Sequence, residues 1–340
     1  MATMSDIAEA AGVSITTVSR VLAGKDSPIP IATETRTRVL RAADTLNYQP
    51  NIFAQSLRGK KSWFVGAIIW DFVDPFFGEI LRGIRSVLSK TNHHLILDSA
   101  SGDAKGLVSA VEWVARVQPA GILIVGGPRL DPLSEQIALA VGDSPVVLLG
   151  TKVDDRRFGS VIVDNFQAGI MGADHCLNKP HRLFRFITFV SRTSDEEARR
   201  AGVIQALERR GYGDYRSGIV EVERGVEETY QMARRLFRRY EGPISLFVND
   251  DQSAIAVMRA AFDLGLRVPE DVSILGCDGL EIGGYTERRL STVVQPRFEI
   301  GAQGAEVLID QMERRETEDD TETKAPELKL LPSLLLRESA

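Results

Sequence analysis

The sequence predicts an α/β protein in two parts: an N-terminal three-helix head with a linker helix, then a body of two lobes, each a doubly wound parallel sheet. Three observations predict it. Helical periodicity fills the first 46 residues. From Trp63 onward short apolar runs alternate with helical stretches. Charge divides at the same place: residues 1–61 carry eight Lys/Arg against five Asp/Glu, and the rest of the chain 33 against 42. A basic head therefore precedes an acidic body.

The head begins with Thr3-Met-Ser-Asp6, a capping box with a hydroxyl at N-cap and a carboxylate three residues on. The helix that follows turns Ile7, Ala8 and Ala11 inward, and Gly12 ends it, since glycine takes the left-handed conformation of a tight turn. Val13 plugs the turn. Ser14 is the N-cap of a second helix, Ile15 to Leu22, with Val18, Val21 and Leu22 inward. Two short helices joined by a glycine-containing turn make helix-turn-helix geometry. A third helix is predicted from about Thr33 to Leu46, with Val39, Ala42, Ala43 and Leu46 on its inner face. In this geometry Ile15, Thr16, Thr17 and Arg20 are the early outward side chains that enter a DNA major groove. Arg20 offers guanine a bidentate pair, Ile15 meets a thymine methyl, and the threonines reach bases or phosphates. Spacing alone fits a helical hairpin packed on the body equally well.

In the body, strands are predicted at Phe64–Trp70, His94–Leu97, Gly121–Val125, Val146–Leu149, Ser160–Val163, Phe184–Val190, Ile219–Glu221, Ile244–Val248 and Val272–Cys277, with a last one near Leu334–Arg337. Helices are predicted between them, among them Phe76–Thr91, Lys105–Val117, Ala168–Leu177, Glu197–Arg210, Glu227–Tyr240 and Gln252–Leu264, and another after Val293. Such alternation implies parallel sheets covered on both faces. So many strands divide best into two lobes. Ligands of such sheets bind outside the carboxyl ends of the strands, so two facing lobes make a cleft.

Composition excludes other classes. The longest apolar runs fall far short of the ~18 residues that a membrane span needs. The first residues lack a basic stretch followed by an apolar core, so no leader is expected and the chain is expected to stay in the cytoplasm. Two cysteines, Cys176 and Cys277, are too few for a disulfide framework, and with four histidines no metal signature appears. No cofactor is expected. A nucleophile elbow, HExxH, a P-loop and an ordered GxGxxG are all missing; Gly126-Gly127-Pro128 and Gly283-Gly284 read as turns. The alternatives that stay open are a cytoplasmic small-molecule binding protein without DNA function and an α/β enzyme with an appended helical domain.

Met4 to Leu22, with Asp6-Ile7-Ala8, Gly12-Val13-Ser14 and Thr17-Val18-Ser19-Arg20-Val21, closely resembles the N-terminal signature of LacI-type transcription regulators. Asn47-Tyr-Gln-Pro-Asn-Ile-Phe-Ala-Gln-Ser-Leu-Arg58 resembles the linker of the same family. The resemblance covers Met4 to Ser339 and implies a helix-turn-helix domain at 1–48 and a hinge helix at 49–61. It implies a periplasmic-binding-protein-like core at 62–340, with an N-lobe of about 62–164 and 295–324 and a C-lobe of about 165–294 and 325–340. The chain is expected to cross between lobes near 164–166, 293–296 and 323–327. Thr3, Ser14, Ser19, Asn51, Ala54, Leu57 and Arg58 join the DNA-facing set, Leu57 as a wedge between base pairs in the minor groove. Gln55 stands where the family usually has Arg.

The resemblance also implies a homodimer on a near-palindromic operator, most members being repressors, and a small polar, carbohydrate-derived effector (sugar, sugar phosphate or sugar acid) between the lobes. Trp70, Asp71, Phe76, Asp195, Arg199, Arg224, Asn249, Asp250 and Asp278 match positions of the family's effector cleft, with Phe76 as the stacking ring. Two departures bear on the ligand: Gly150 stands where many sugar-responsive relatives have Asp, and Arg224 where relatives often have an aromatic. An acid lost and an arginine gained predict a less negative cleft and an effector bearing phosphate or carboxylate. Asp195, where sugar binders often have a small hydroxyl residue, points the other way.

Overall fold

The computed structural model describes residues 2–22, 31–49, 62–179, 183–191, 193–212, 215–239, 242–316 and 326–340. Asn51, Ala54, Leu57 and Arg58, with the rest of the expected hinge from residue 50, lie outside them. The chain separates into two units, Met1–Ser62 and Trp63–Ala340.

The first unit holds helices α1 (Met4–Ala11), α2 (Ile15–Leu22) and α3 (Thr33–Thr45). The capping box forms: the Thr3 N–H donates to Asp6 Oδ2 at 2.7 Å and the Asp6 N–H to Thr3 Oγ1 at 3.3 Å. Those bonds favour the carboxylate and hold the Asp6 pKa below its ordinary value. Gly12 sits at φ 61° and closes α1. The Thr17 N–H donates to Ser14 Oγ at 3.1 Å, which caps α2. Ile7, Ala8, Ala11, Val18, Val21, Val39 and Ala43 form a small core that Val13, Leu22, Ala42 and Tyr48 edge. Leu46, expected inward, is 36% exposed. The helix ends at Thr45, the chain turns through Asn47 at φ 47°, and Tyr48 folds back to pack in its place.

The second unit holds two six-stranded sheets. The first is built from β1 (Phe64–Ile69), β2 (His94–Ser99), β3 (Gly121–Val125), β4 (Val146–Leu149), β5 (Phe158–Val163) and β11 (Glu327–Leu330). Its order is β11-β5-β4-β3-β1-β2, parallel throughout. The second holds β6 (Leu183–Phe189), β7 (Ile219–Val222), β8 (Ile244–Val248), β9 (Val272–Asp278), β10 (Ser291–Val294) and β12 (Ser333–Leu335). Its order is β12-β10-β9-β8-β6-β7, the same winding, except that edge strand β12 runs antiparallel to β10.

Helices cover both faces of each sheet. On the first lie α4 (Phe76–Leu88) and α11 (Arg297–Glu316), opposite α5 (Ala104–Arg116) and α6 (Ser134–Val141). On the second lie α7 (Asn165–Leu177) and α8 (Ser194–Arg209), opposite α9 (Val226–Phe237) and α10 (Asp251–Asp263). Both lobes use one device to seat the helix that follows the first strand. A Cβ on Gly301 would run into the Ile80 carbonyl, and one on Gly202 into the Phe166 carbonyl, so α4 meets α11, and α7 meets α8, backbone to backbone.

The chain passes between the sheets at 164, at 295–296 and at 331–332. The third passage corrects the expectation of 323–327 and carries the N-lobe on to residue 330. Glu327–Leu330 pairs with β5, and only Leu331 and Pro332 separate it from β12, which leaves no room for a reversal: the chain runs on from the cleft end of the first sheet into the second, so β12 lies antiparallel to β10. Cys176 and Cys277 are free and buried, and burial pushes the Cys176 thiol up to about 12. Among the described residues no helix is long and apolar enough to cross a membrane.

Candidate functional site

Two surfaces follow from these elements. On the head, the N-terminal turn of α2 presents Ile15, 50% exposed, with Thr16 and Arg20 also exposed. Thr17, expected to face outward, is half-buried with its hydroxyl 2.9 Å from Ser14 Oγ. The hydroxyls of Thr3, Ser14 and Thr17 thus hold helix ends, and the outward set reduces to Ile15, Thr16 and Arg20. Ser19 is half-buried.

The second surface is a cleft of about 410 Å³ between the lobes, at the carboxyl ends of both sheets. All nine cleft residues expected from the sequence line it. Trp70, Asp71 and Phe76 follow β1. Asp195 and Arg199 sit on α8, Arg224 follows β7, Asn249 and Asp250 follow β8, and Asp278 ends β9. Phe77, the neighbour of Phe76, is a core residue that meets it edge-on at 5.3 Å.

Arg199 is the node of the C-lobe wall and is 3% exposed. Its Nε and Nη2 donate to Asn165 Oδ1 at 3.2 and 2.8 Å, and its Nη1 to the Asn249 carbonyl and to Asn249 Oδ1 at 3.1 Å. Burial opposes its charge, but Asp278, Glu196 and Asp195 around it outweigh that. Glu196 was not singled out by sequence, although Thr193-Ser-Asp-Glu196 is a second capping box. It receives the Thr193 N–H at 2.7 Å, Asn249 Nδ2 at 2.9 Å, and Arg224 Nη2 on both oxygens at 2.9 and 2.6 Å. Arg224 also lies over the Phe189 ring, 4.2 Å from its centroid.

Burial raises several of the facing acids. Asp278 is pushed well above the usual carboxylate range, with Arg199 opposing and Asp251, Asp250 and Asp74 adding. Asp195 is pushed up to about 7 by burial. Asp250 and Asp74 are raised by the same cause, while each caps a backbone N–H, that of Ser253 at 2.6 Å and of Phe76 at 2.9 Å. Asp278 holds φ at 118°, a strained value for a residue with a Cβ. Gln295 Nε2 donates to Asp278 Oδ1 at 2.7 Å. Gln295, Glu196, Thr193 and Asp74 line the cleft and were missed. Gln295 follows β10, a strand that periodicity did not show, and Asp74 sits in Val-Asp-Pro-Phe, where only the ring was read.

Acids dominate the charged lining of the cleft. Among the described residues, seven carboxylates and two guanidiniums line it, and both guanidiniums already hold partners. At Gly150, Asp195 Oδ2 lies 3.5 Å from where a Cβ would stand, so an acid still borders that position. Arg224 pairs with Glu196 and also lies close enough to Asp74 and Asp250 to favour their charged forms.

Comparison with known proteins adds the context. The model of bacterial regulatory proteins, lacI family, matches residues 3–51, and that of a periplasmic binding protein-like domain matches residues 173–340. The chain is similar to catabolite control protein A of Priestia megaterium, 30% identical over 328 residues, covering 95% of this chain and 96% of that protein. It is similar to the ribose operon repressor of Haemophilus influenzae, 28% identical over 339 residues, covering 100% and 98%. The solved structure of the Lac repressor bound to ONPG in the repressed state shares the fold, with a TM-score of 0.83 at 23% identity over 100% and 99% of the two chains. With a relative at 30% identity along nearly its whole length and a head matched by the family's own model, the chain belongs to the LacI family of bacterial regulatory proteins, DNA-binding transcriptional regulators rather than enzymes.

Proposed function

We propose that the chain is a repressor. Its dimer reads a near-palindromic operator through Ile15, Thr16 and Arg20, and a small carbohydrate-derived effector held between the lobes sets its operator affinity. The observation that carries this reading is the cleft at the strand ends. Its walls come from both lobes, which away from the crossings are joined among the described residues by Ser194 Oγ to Thr151 Oγ1 at 3.3 Å, Gln252 Nε2 to Asp74 Oδ1 at 3.4 Å and Arg297 Nη2 to the Gly279 carbonyl at 2.7 Å. A polyol that bonds both walls favours one lobe arrangement over the other. Its differential affinity for the two is all that it can pass on to the DNA. The similar ribose operon repressor supports a sugar as the effector. Leu57 and the hinge are proposed to carry the change, Leu57 as a minor-groove wedge.

For dimerisation we propose the C-lobe face where Phe262, Ile282 and Tyr285 stand exposed, beside a cavity lined by Ile255, Met258 and Leu266. Large exposed apolar groups of this kind mark protein interfaces. The test is selection of bound sites from random DNA, followed by anisotropy of the selected duplex under titration with neutral sugars, ribose included. An enriched palindrome whose affinity a sugar changes is expected. No enrichment at low salt, with or without sugars, overturns the reading.

A further inference from the structure

On the reading that this cleft holds the effector, we propose that the effector is a cation: a polyhydroxylated ammonium compound, with amino sugars as its simplest representatives. Carboxyl oxygens dominate the polar lining of the cleft, beside the hydroxyls of Ser191 and Thr193 and the indole of Trp70. Seven of its lining side chains are carboxylates. Arg199 directs its guanidinium to Asn165 and Asn249, and Arg224 directs its Nη2 to Glu196. Gln295 is 4% exposed; its amide nitrogen is held by Asp278, and its Oε1 has no partner among the described residues. A buried acceptor without a donor is an energetic deficit that a ligand N–H or O–H removes.

The acids also face one another across the lobes. Asp74 belongs to the first lobe and lies 3.4 Å from Gln252 Nε2 of the second, close enough to Asp250 for their charges to oppose. Closing the cleft brings like charges together, and a cation between Asp74 and the pair Asp250 and Asp278 turns that repulsion into attraction. An ammonium supplies three donors and the charge at once. The ring of Phe76 at the same wall already has the Arg297 guanidinium over it, 5.9 Å from its centroid, so the carboxyl groups carry the preference for a cation. Protons alone relieve the repulsion but leave Gln295 Oε1 without a donor. An anion meets the carboxylates with both guanidiniums already paired. Arg192, between Ser191 and Thr193, lies outside the described residues, so the test carries an anionic arm.

The test uses the full-length protein at neutral pH and reads both the thermal unfolding midpoint and the anisotropy of its selected operator. The probes are glucosamine, galactosamine and mannosamine, their N-acetyl forms, the parent hexoses and the hexose 6-phosphates. At least one amine is expected to shift both readouts, with its N-acetyl and neutral counterparts weaker by about tenfold or more. Asp250→Asn keeps the acceptor that caps α10 and lowers the preference for amine over N-acetyl form by about tenfold. Asp195→Asn, on a different helix, does the same and stands in if the first variant does not fold. Hexoses or phosphates that act as strongly as the amines overturn the charge assignment and leave the effector cleft standing. Silence of every amine overturns it too, and silence of all four classes sinks the effector reading with it.

Discussion

Replacing Arg199 with Met preserves bulk but takes the guanidinium out of a site that is 3% exposed. Asn165 Oδ1 loses two donors, Asn249 loses donors to its carbonyl and its Oδ1, and Asp278 and Asp195 lose the cation beside them. Breaking a buried, hydrogen-bonded charge by removing one partner costs about 3–5 kcal/mol. The acids can limit that loss. Without Arg199 their pKa values rise further, so the variant takes up protons that the parent does not. The loss is therefore about 3 kcal/mol near pH 8 and smaller by about 1 kcal/mol near pH 6. All three tryptophans, Trp63, Trp70 and Trp113, lie in the second unit. Urea unfolding followed by their fluorescence at both pH values thus reports on the core alone. Arg199→Lys should recover only part of the loss, since an ammonium cannot bridge Asn165 and Asn249 as the fork does. A loss under about 1 kcal/mol, or the same loss at both pH values, refutes the argument that Arg199 is the charge-balancing node.

Gly202→Ala sets a methyl against the Phe166 carbonyl and should destabilise the core by about 3 kcal/mol or more; Gly301→Ala should do likewise, and a mild loss in either by urea unfolding contradicts the backbone contact. Asp195 and Asp251, both pushed up to about 7 by burial, hold protons that aspartates released near 3.8 in the unfolded chain do not. Their contribution is fully present below the unfolded pKa and is lost as pH rises through about 7. His175, which burial lowers from 6.5, acts in the opposite sense below that pH. Between about pH 6.5 and 7.5 the core's urea midpoint should fall, by somewhat under about 1 kcal/mol for each proton, and level off above that, and a flat profile contradicts it. Arg20→Met should weaken operator binding by about 1–3 kcal/mol and relax selection at one base pair, read by competition among duplexes. Tyr285→Glu should shift the protein to monomers in sedimentation, whereas an intact dimer moves the interface elsewhere.

How much was legible in the sequence depended on how local each signal is. Thr3 with Asp6, Gly12 and Ser14 announce helix ends through bonds within three residues, and the head matched them. The buried strands β1, β3, β4, β8 and β9 read as apolar runs because both their faces are covered. Glu327–Leu330 escaped because it is an edge strand with alternate residues exposed. That omission misplaced the third crossing. The nine cleft residues came from family motifs, most of them at strand ends. Glu196, Gln295 and Asp74 act through partners 17 to 178 residues away, which no window of sequence shows. The same limit holds for Arg224: alone it looks like a gained cation, and only the fold shows that it pairs with Glu196.

The central claim is that occupancy of the strand-end cleft sets the head's affinity for DNA. The most direct measurement is the anisotropy of the selected operator, titrated with the ligand that shifts it, for the parent and for Asp278→Asn in parallel. The account predicts that the variant needs about tenfold more ligand, or more, for the same change in operator affinity. An unchanged ligand requirement, or a ligand that binds the cleft without altering operator affinity, contradicts it.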